Sequence, residues 1–189
     1  MQWSARTKTR HGDFGEQIIR DFWETEKKLK VLSPIKWVNG KPHIAPPDEP
    51  HDFDCIVLDG KGKHFFADCK AKARRNCRPD TGIDSGYFEN YWRIYQGEKI
   101  CPEFLDFILV FVDEHPAEER IYSLSFRQIE ALGLDRLMQA GKIRIEQDRR
   151  ATVTVYFDLA IMKPIRALTA EEAATLRNLS QETRRHSYA

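Results

Sequence analysis

Residues Phe53–Lys72 read FDCIVLDGKGKHFFADCKAK. The composition of this stretch is typical of two β-strands, over Phe53–Leu58 and His64–Lys72, joined by the sequence DGKGK. The Asp-Gly pair and a second glycine supply residues that adopt positive φ, which tight hairpin turns need. The stretch therefore predicts a β-hairpin.

Three charged residues interrupt the apolar strands of this hairpin. Asp54 heads the first strand, and Asp68 and Lys70 lie near the end of the second. Since side chains alternate along a strand, Asp68 and Lys70 share one face, which Asp54 can reach from the neighbouring strand. Charged groups are rarely buried without compensation.

A divalent cation would supply that compensation. Mg²⁺ prefers oxygen ligands and is often held by one or two carboxylates with water and substrate phosphate. We therefore expect Asp54 and Asp68 to bind the metal, with the Cys69 carbonyl as a further ligand. Lys70 would polarise an attacking water or neutralise charge on a phosphate.

A helix before the hairpin adds a third carboxylate. Apolar spacing predicts this helix from Asp13, its N-cap, to about Lys28, and residues 1–12 are expected to form a flexible basic arm. Glu16 borders the apolar arc beside Trp23. It is therefore placed to lean toward the sheet edge and join the metal site.

A second helix, over about Asp84–Gln96, has a broad aromatic face. Gln96 borders that face beside Trp92 and is the polar candidate on this helix. Its aromatic residues are more typical of a core than of a nucleic-acid surface. Tyr91 is the candidate exception for stacking on bases, because phenol groups tend to keep one end in water.

The other predicted elements complete an α/β order with a mixed sheet. They are a strand over Ile35–Val38, a proline-rich loop over 39–50, a polar loop over 73–86, strands over Phe104–Val112 and Arg120–Phe126, a helix over Arg127–Ala140, strands over Lys142–Glu146 and Thr152–Asp158, and a helix over Ala170–Arg184.

Composition favours one globular domain and no membrane partner. The 189 residues are 41% hydrophobic, enough for one sizeable core. The start lacks the apolar segment of a secretory signal, and no apolar run is long enough to cross a bilayer, so we expect a cytoplasmic protein. The four cysteines lack zinc-site spacing, and Cys55 and Cys69 are expected to be buried in strands.

The net charge is only +1, so a polyanion must be met locally. Residues 61–78 carry a net charge of +6, with one acid, Asp68, among seven basic residues: Lys61, Lys63, Lys70, Lys72, Arg74, Arg75 and Arg78. Such a patch suits a phosphate backbone and predicts salt-dependent binding. The alternative is a solvated run of charge.

The order of these elements resembles the PD-(D/E)XK nuclease superfamily. The shared features are Gly-Glu in a first helix, an aspartate leading an apolar strand, Asp-x-Lys closing the next strand, then an aromatic helix and an apolar strand. One feature departs from the pattern, because Phe53 precedes the first acid and the literal Pro-Asp is absent. That departure leaves Asp52 open as the ligand in place of Asp54.

The resemblance implies a restriction-endonuclease-like fold, with a mixed β-sheet core flanked by helices over 13–126 and an extra C-terminal strand and helix region over 127–189. It implies that Asp54 and Asp68 bind Mg²⁺ (Mn²⁺ as a substitute) and that Lys70 is catalytic. It further implies that Glu16 and Gln96 are the helix-borne polar residues of the site.

The function expected on these grounds is Mg²⁺-dependent hydrolysis of DNA phosphodiester bonds, with RNA not excluded as substrate. A homodimer or a partner subunit is compatible with the sequence. The first alternative is a non-cleaving nucleic-acid-binding subunit of a larger complex that retains the fold. The second is a metal-dependent hydrolase with another substrate, which the basic stretch disfavours.

Overall fold

The structure is a computed structural model that describes residues 3–46, 51–71, 78–115, 119–147 and 151–187, without the side chains of 3–9 and 183–187. The helices are α1 (Trp3–Asp21, continued by a π-helical turn over Phe22–Glu26), α2 (Ser85–Glu98), α3 (Phe126–Leu132), α4 (Leu134–Gln139) and α5 (Ala170–Ser187), with a 3-10 turn over Leu159–Ile161. The strands are β1 (Lys30–Leu32), β2 (Ile35–Val38), β3 (Lys41–Ile44), β4 (Cys55–Leu58), β5 (His64–Ala71), β6 (Asp80–Asp84), β7 (Phe104–Asp113), β8 (Arg120–Ser125), β9 (Ile143–Gln147), β10 (Val153–Asp158) and β11 (Lys163–Ala167).

A six-stranded mixed sheet forms the centre, in the order β1-β4-β5-β7-β8-β11. The pair β5 and β7 is parallel, and the other neighbours are antiparallel. A parallel pair needs a long crossover, which here contains β6 and α2. The predicted α/β class, with a mixed sheet flanked by helices, is confirmed.

Both faces of this sheet are covered. On one face Phe66 and Phe107 pack with Tyr91 of α2 and Phe126 of α3 in an apolar cluster. On the other face α1 and α5 pack over small and branched residues of β4, β5 and β7. A strand covered on both sides should be apolar nearly throughout, which explains the continuous run in β7.

The two long helices of the second face are tied to each other and to the end of β7. Ile18 of α1 and Leu176 of α5 belong to the same buried cluster. His11 Nε2 lies 2.9 Å from Glu114 Oε2, and Ser180 Oγ donates to that oxygen at 2.6 Å. The first and last helices are therefore neighbours.

The polar loop predicted over 73–86 is wrong in its second half. Residues Asp80–Asp84 form β6, which pairs with β10 in a separate three-stranded sheet of order β6-β10-β9. Gly82 faces the partner so closely that an added Cβ would lie 2.6 Å from the Val155 carbonyl oxygen. This strand forms because a distant partner strand covers it.

The proline-rich loop predicted over 39–50 also contains a strand. Asn39 and Gly40 both have positive φ (51° and 76°), as a two-residue hairpin turn requires, and they join β2 to β3. Pro42 is accommodated because this ribbon has only two strands, so both are edges. Residues 47–50 lie outside the described residues.

Two helix predictions need correction. The first helix begins at Trp3, so the segment expected as a flexible arm is helical from that residue. The helix predicted over Arg127–Ala140 is two helices, because Gly133 adopts φ 83° between α3 and α4. The two strands β1 and β11, at opposite edges of the main sheet, were not predicted.

Across the ranges that the structure describes, the helices are too short or too polar to span a bilayer.

Candidate active site

The hairpin β4–β5 brings the two predicted aspartates together at its open end. Cys55 lies opposite Ala67 in the antiparallel register, and Asp54 directly precedes Cys55 while Asp68 directly follows Ala67. Both are buried, with 6% of Asp54 and 1% of Asp68 exposed. The candidate site is therefore a pair of carboxylates at the sheet end.

Asp54 is held in place by a backbone hydrogen bond across the hairpin. The Cys69 N–H donates to Asp54 Oδ2 at 2.5 Å, and His51 Nε2 lies 3.5 Å from Asp54 Oδ1. The hydrogen bond to Asp54 raises the pKa of His51 above its ordinary value. Asp52 turns elsewhere and accepts from the Trp37 N–H at 2.6 Å, so Asp54 is the acid that faces Asp68.

Asp68 and Lys70 form an ion pair on one face of β5, as the alternation predicts. Lys70 Nζ lies 2.8 Å from Asp68 Oδ2, and the Tyr91 hydroxyl donates to Asp68. Burial acts to lower the pKa of Lys70, but the charges of Asp68 and Asp54 outweigh it and raise that pKa. Lys70 is therefore a cation at neutral pH, suited to charge stabilisation.

Glu16 approaches the same end of the sheet from α1, and Gly15 makes this possible. A Cβ on Gly15 would lie 2.5 Å from the Ala71 Cβ, so α1 can lie this close to β5 only with glycine there. Glu16 lines a small pocket together with Arg20, Asp54 and Cys69. The helix-borne carboxylate thus lies beside Asp54.

Crowding of the carboxyl groups shifts their titration. Burial, and then the charge of Asp54, raise the pKa of Asp68 to about 7 and that of Glu16 to about 7. The positive charge of Lys70 opposes both shifts without cancelling them. The protein alone thus leaves negative charge at this end undercompensated.

This donor set suits a hydrated hard cation. Oxygen donors from one or two carboxylates are what Mg²⁺ commonly takes from a protein, with water filling the remaining positions. Within the described residues, however, no three His, Cys, Asp or Glu side chains are grouped closely enough to hold a metal by themselves. The fit is therefore to a cation that keeps several waters, and the Cys69 carbonyl stays a predicted ligand.

Two residues predicted on α2 have other partners. Gln96 Nε2 donates to Glu130 Oε1 at 3.3 Å, so it faces α3 and not the aspartates. Tyr91 is 1% exposed and stacks on Phe107 with ring centroids 4.7 Å apart. It therefore cannot stack on bases, and its hydroxyl instead supports Asp68.

The predicted basic patch is divided by the fold. Lys61 and Lys63 are exposed in the turn at the closed end of the hairpin, opposite the end that carries Asp68. Arg78 is exposed and lies 3.6 Å from Glu146. Three further patch residues, Lys72, Arg74 and Arg75, lie outside the described residues, so their role stays a prediction.

The sequence reasoning missed two residues near the site. Arg20 lies one helical turn after Glu16 and lines the same pocket. Tyr87 is 52% exposed, and its ring centroid lies 5.7 Å from Lys70 Nζ. The i, i+4 spacing from Glu16 and from Tyr91 was the available signal for each.

Known proteins show little similarity to this chain. No family model matches the chain, and no curated protein matches it either. One solved structure that matches is that of D212, a nuclease from a fusselovirus, with 13% sequence identity over 89% of each chain and a TM-score of 0.44. At this distance the likeness does not assign an activity to the chain.

Proposed function

We propose that this protein is a metal-dependent nuclease that hydrolyses DNA phosphodiester bonds. One observation carries the proposal: Asp54, Asp68 and the Lys70 ammonium converge at one sheet end. Glu16 lies beside Asp54, on α1. Buried acids next to a lysine, with shifted pKa values, are typical of functional sites rather than of a sheet edge.

Asp54 and Asp68 would hold the cation, with Glu16 and the Cys69 carbonyl as candidate further ligands. A bound divalent cation lowers the pKa of a coordinated water and stabilises charge on phosphate oxygens. The undercompensated carboxylates described above support such a cation here. Mg²⁺ is the proposed ion, and Mn²⁺ its substitute.

The protein's own groups divide the remaining work. Lys70, held as a cation, neutralises charge that develops on the phosphoryl oxygens. Glu16, beside Asp54, would bind the cation or orient a water that the cation holds. The family resemblance implies that the P–O3′ bond breaks, leaving a 5′-phosphate and a 3′-hydroxyl.

A cleavage assay with a panel of substrates tests this proposal. Purified protein is incubated with supercoiled, linear, branched and single-stranded DNA and with RNA, each with Mg²⁺, with Mn²⁺ and with EDTA. We expect cleavage of at least one DNA substrate that EDTA stops and that the variant Asp68→Asn lacks. Cleavage that survives EDTA would contradict the metal requirement, and cleavage by Asp68→Asn at the wild-type rate would contradict the site assignment.

A second candidate is a nucleic-acid-binding subunit that does not cleave. The absence of a three-ligand group among the described residues favours it, because metal affinity would then be weak. In that case the protein retards DNA in a gel with EDTA present, while no substrate of the panel is cut with either metal. The same set of incubations therefore separates the two functions.

A further inference from the structure

Two tyrosines one turn apart on α2 lie in different environments beside the candidate site. Tyr91 is buried and donates to Asp68, whereas Tyr87 is 52% exposed. Their rings are stacked, with centroids 6.0 Å apart and an angle of 30° between planes. Tyr87 therefore rests on a fixed ring while much of its own surface faces solvent.

Lys70 lies between this exposed ring and the buried carboxylate. Its Nζ is 5.7 Å from the Tyr87 centroid and 2.8 Å from Asp68 Oδ2. A cation within about 6 Å of an aromatic centroid is attracted by the ring's negative face. The ammonium is thus contacted by two groups, one from the strand and one from the helix.

The position of Tyr87 is itself fixed by the start of α2. The Asp84 side chain accepts a hydrogen bond from the Gly86 N–H at 2.8 Å, and the helix begins at Ser85. Such a cap fixes the first turn, which carries Tyr87. Asp84 is also the last residue of β6, so this strand of the small sheet leads directly into the helical turn that carries Tyr87.

A lysine side chain has four rotatable bonds, so a single ion pair leaves its ammonium mobile. We propose that Tyr87 is a positioning residue, whose ring holds the Lys70 ammonium beside Asp68 in the orientation that a bound phosphate needs. This role rests on the proposed nuclease function. The contact between ring and ammonium is independent of it.

The contact is tested first by NMR, without any activity. Lysine Cε and Hε resonances are recorded, with the Lys70 signal assigned from the variant Lys70→Arg. A ring face shifts nearby protons, so Tyr87→Leu should move the Lys70 signal toward the random-coil position and Tyr87→Phe should leave it in place. Lys27, whose Nζ lies 5.0 Å from the Phe22 centroid, serves as the internal reference that neither variant moves.

The positioning role is tested by kinetics on the best substrate of the panel. Tyr87→Leu should lower kcat by roughly 3- to 30-fold, with KM changed by less than about twofold, since the contact is worth that much in rate. Tyr87→Phe should restore most of kcat. Glu89→Ala, an exposed change on the same helix, is the matched control.

The outcomes separate the two proposals. If wild-type protein cuts DNA and Tyr87→Leu cuts it with the same kcat, the positioning role is overturned while the nuclease function stands. If Tyr87→Leu leaves the Lys70 resonance unmoved, the ring does not hold the ammonium and the inference fails on structure alone. If wild-type protein cuts nothing, the nuclease function and the role resting on it fall, and an observed ring shift still establishes the contact.

Discussion

The two ends of the β4–β5 hairpin share the same strands and differ in chemistry. At the closed end, Asp59 Oδ1 accepts hydrogen bonds at 2.8 Å from the N–H groups of Lys61 and Lys63, and the lysine side chains extend into solvent. At the open end, Asp54 and Asp68 are buried beside Lys70. The charged side chains of the closed end are exposed, as is usual in a turn. The two aspartates of the open end are buried, which is rare for charged residues in a sheet.

Charged residues at the two ends of the hairpin have different consequences. A charge at the closed end stabilises the local fold and needs no ligand. At the open end, burial and the charge of Asp54 raise the pKa values of Asp68 and Glu16, while Lys70 of the same strand and the Tyr91 hydroxyl of α2 act to lower the pKa of Asp68. Sites of this kind are expected where local rules fail.

The largest effect is expected from neutralising one charge at each end of the hairpin. Asp68→Asn or Lys70→Ala should lower the cleavage rate by roughly 10²- to 10⁴-fold, because each removes a group that acts on the reacting phosphate. Lys63→Ala, at the closed end, should cut at the wild-type rate. Rates are compared on the same DNA substrate, with circular dichroism to show that each variant is folded.

A larger loss of cleavage rate in Lys63→Ala than in Asp68→Asn would show that the active site is not at the open end. Equal loss in Lys63→Ala and Asp68→Asn would show that the hairpin ends do not differ in function.

The next largest effect is expected from Glu16, which lies at the open end of the hairpin but belongs to α1. Glu16→Gln keeps the shape of the side chain and removes its charge, so metal affinity should fall by roughly 10- to 100-fold, as for other residues that support a metal site. Activity should partly recover at high Mn²⁺, which binds nitrogen and oxygen sites more tightly than Mg²⁺ does. A titration of cleavage against metal concentration measures both.

Glu24→Gln, on an exposed position further along the same helical segment, is the matched control and should match wild type. A Glu16→Gln titration that superimposes on wild type would exclude Glu16 from the site and leave the aspartates in place.

A smaller effect is expected from the basic residues, and it concerns the salt dependence of DNA binding at the two ends of the hairpin. Replacing Arg74, Arg75 and Arg78 by alanine should reduce the slope of log affinity against log salt by about one for each phosphate that is no longer neutralised. Replacing Lys61 and Lys63 should leave the slope unchanged, because the closed end faces away from the proposed site. Fluorescence anisotropy with labelled DNA at several salt concentrations measures the slope.

An unchanged slope in the arginine variant would show that this segment does not touch the substrate. A reduced slope in the lysine variant would show that DNA extends along the whole hairpin.

The smallest effect is on the free energy of unfolding, and it can be measured without substrate. Asp68 and Glu16 have pKa values raised to about 7, so the folded state holds more protons than the unfolded state between about pH 4 and 7. Stability without divalent cation should therefore fall as pH rises through that window, and added Mg²⁺ should restore it at pH 8. Urea unfolding at pH 5 and pH 8 measures the difference.

Asp68→Asn should flatten this pH dependence, and Lys63→Ala should keep it. A wild-type urea midpoint that is the same at both pH values would mean that the two acids are ionised in the folded state at pH 5.

The residues of the open end could be predicted because they lie close together in the sequence, within one hairpin. Alternation within β5 places Asp68 with Lys70, and the turn length sets the register that brings Asp54 to the same end of the hairpin. Buried positions of Cys55 and Cys69 follow from the same pattern and are confirmed.

The misses share a physical cause, which is dependence on distant partners. The strand β6 is polar at its ends and forms because β10, far later in the chain, pairs with it. Gln96 looks equivalent to Glu16 on a helical wheel, but α3 supplies Glu130 as its partner. The tendency of phenol groups to keep one end in water predicts a solvated hydroxyl for Tyr91, whereas that hydroxyl is hydrogen-bonded to the buried Asp68.

The packing of the first helix on the last has a consequence for the order of events during synthesis. The segment that carries Glu16 packs against Leu176 and is tied through His11 to Ser180, which the ribosome adds far later. At about 5–20 residues per second, the interval between these segments is on the order of ten seconds. We expect the nascent chain to hold its aspartates in the hairpin well before the packing of α5 secures Glu16.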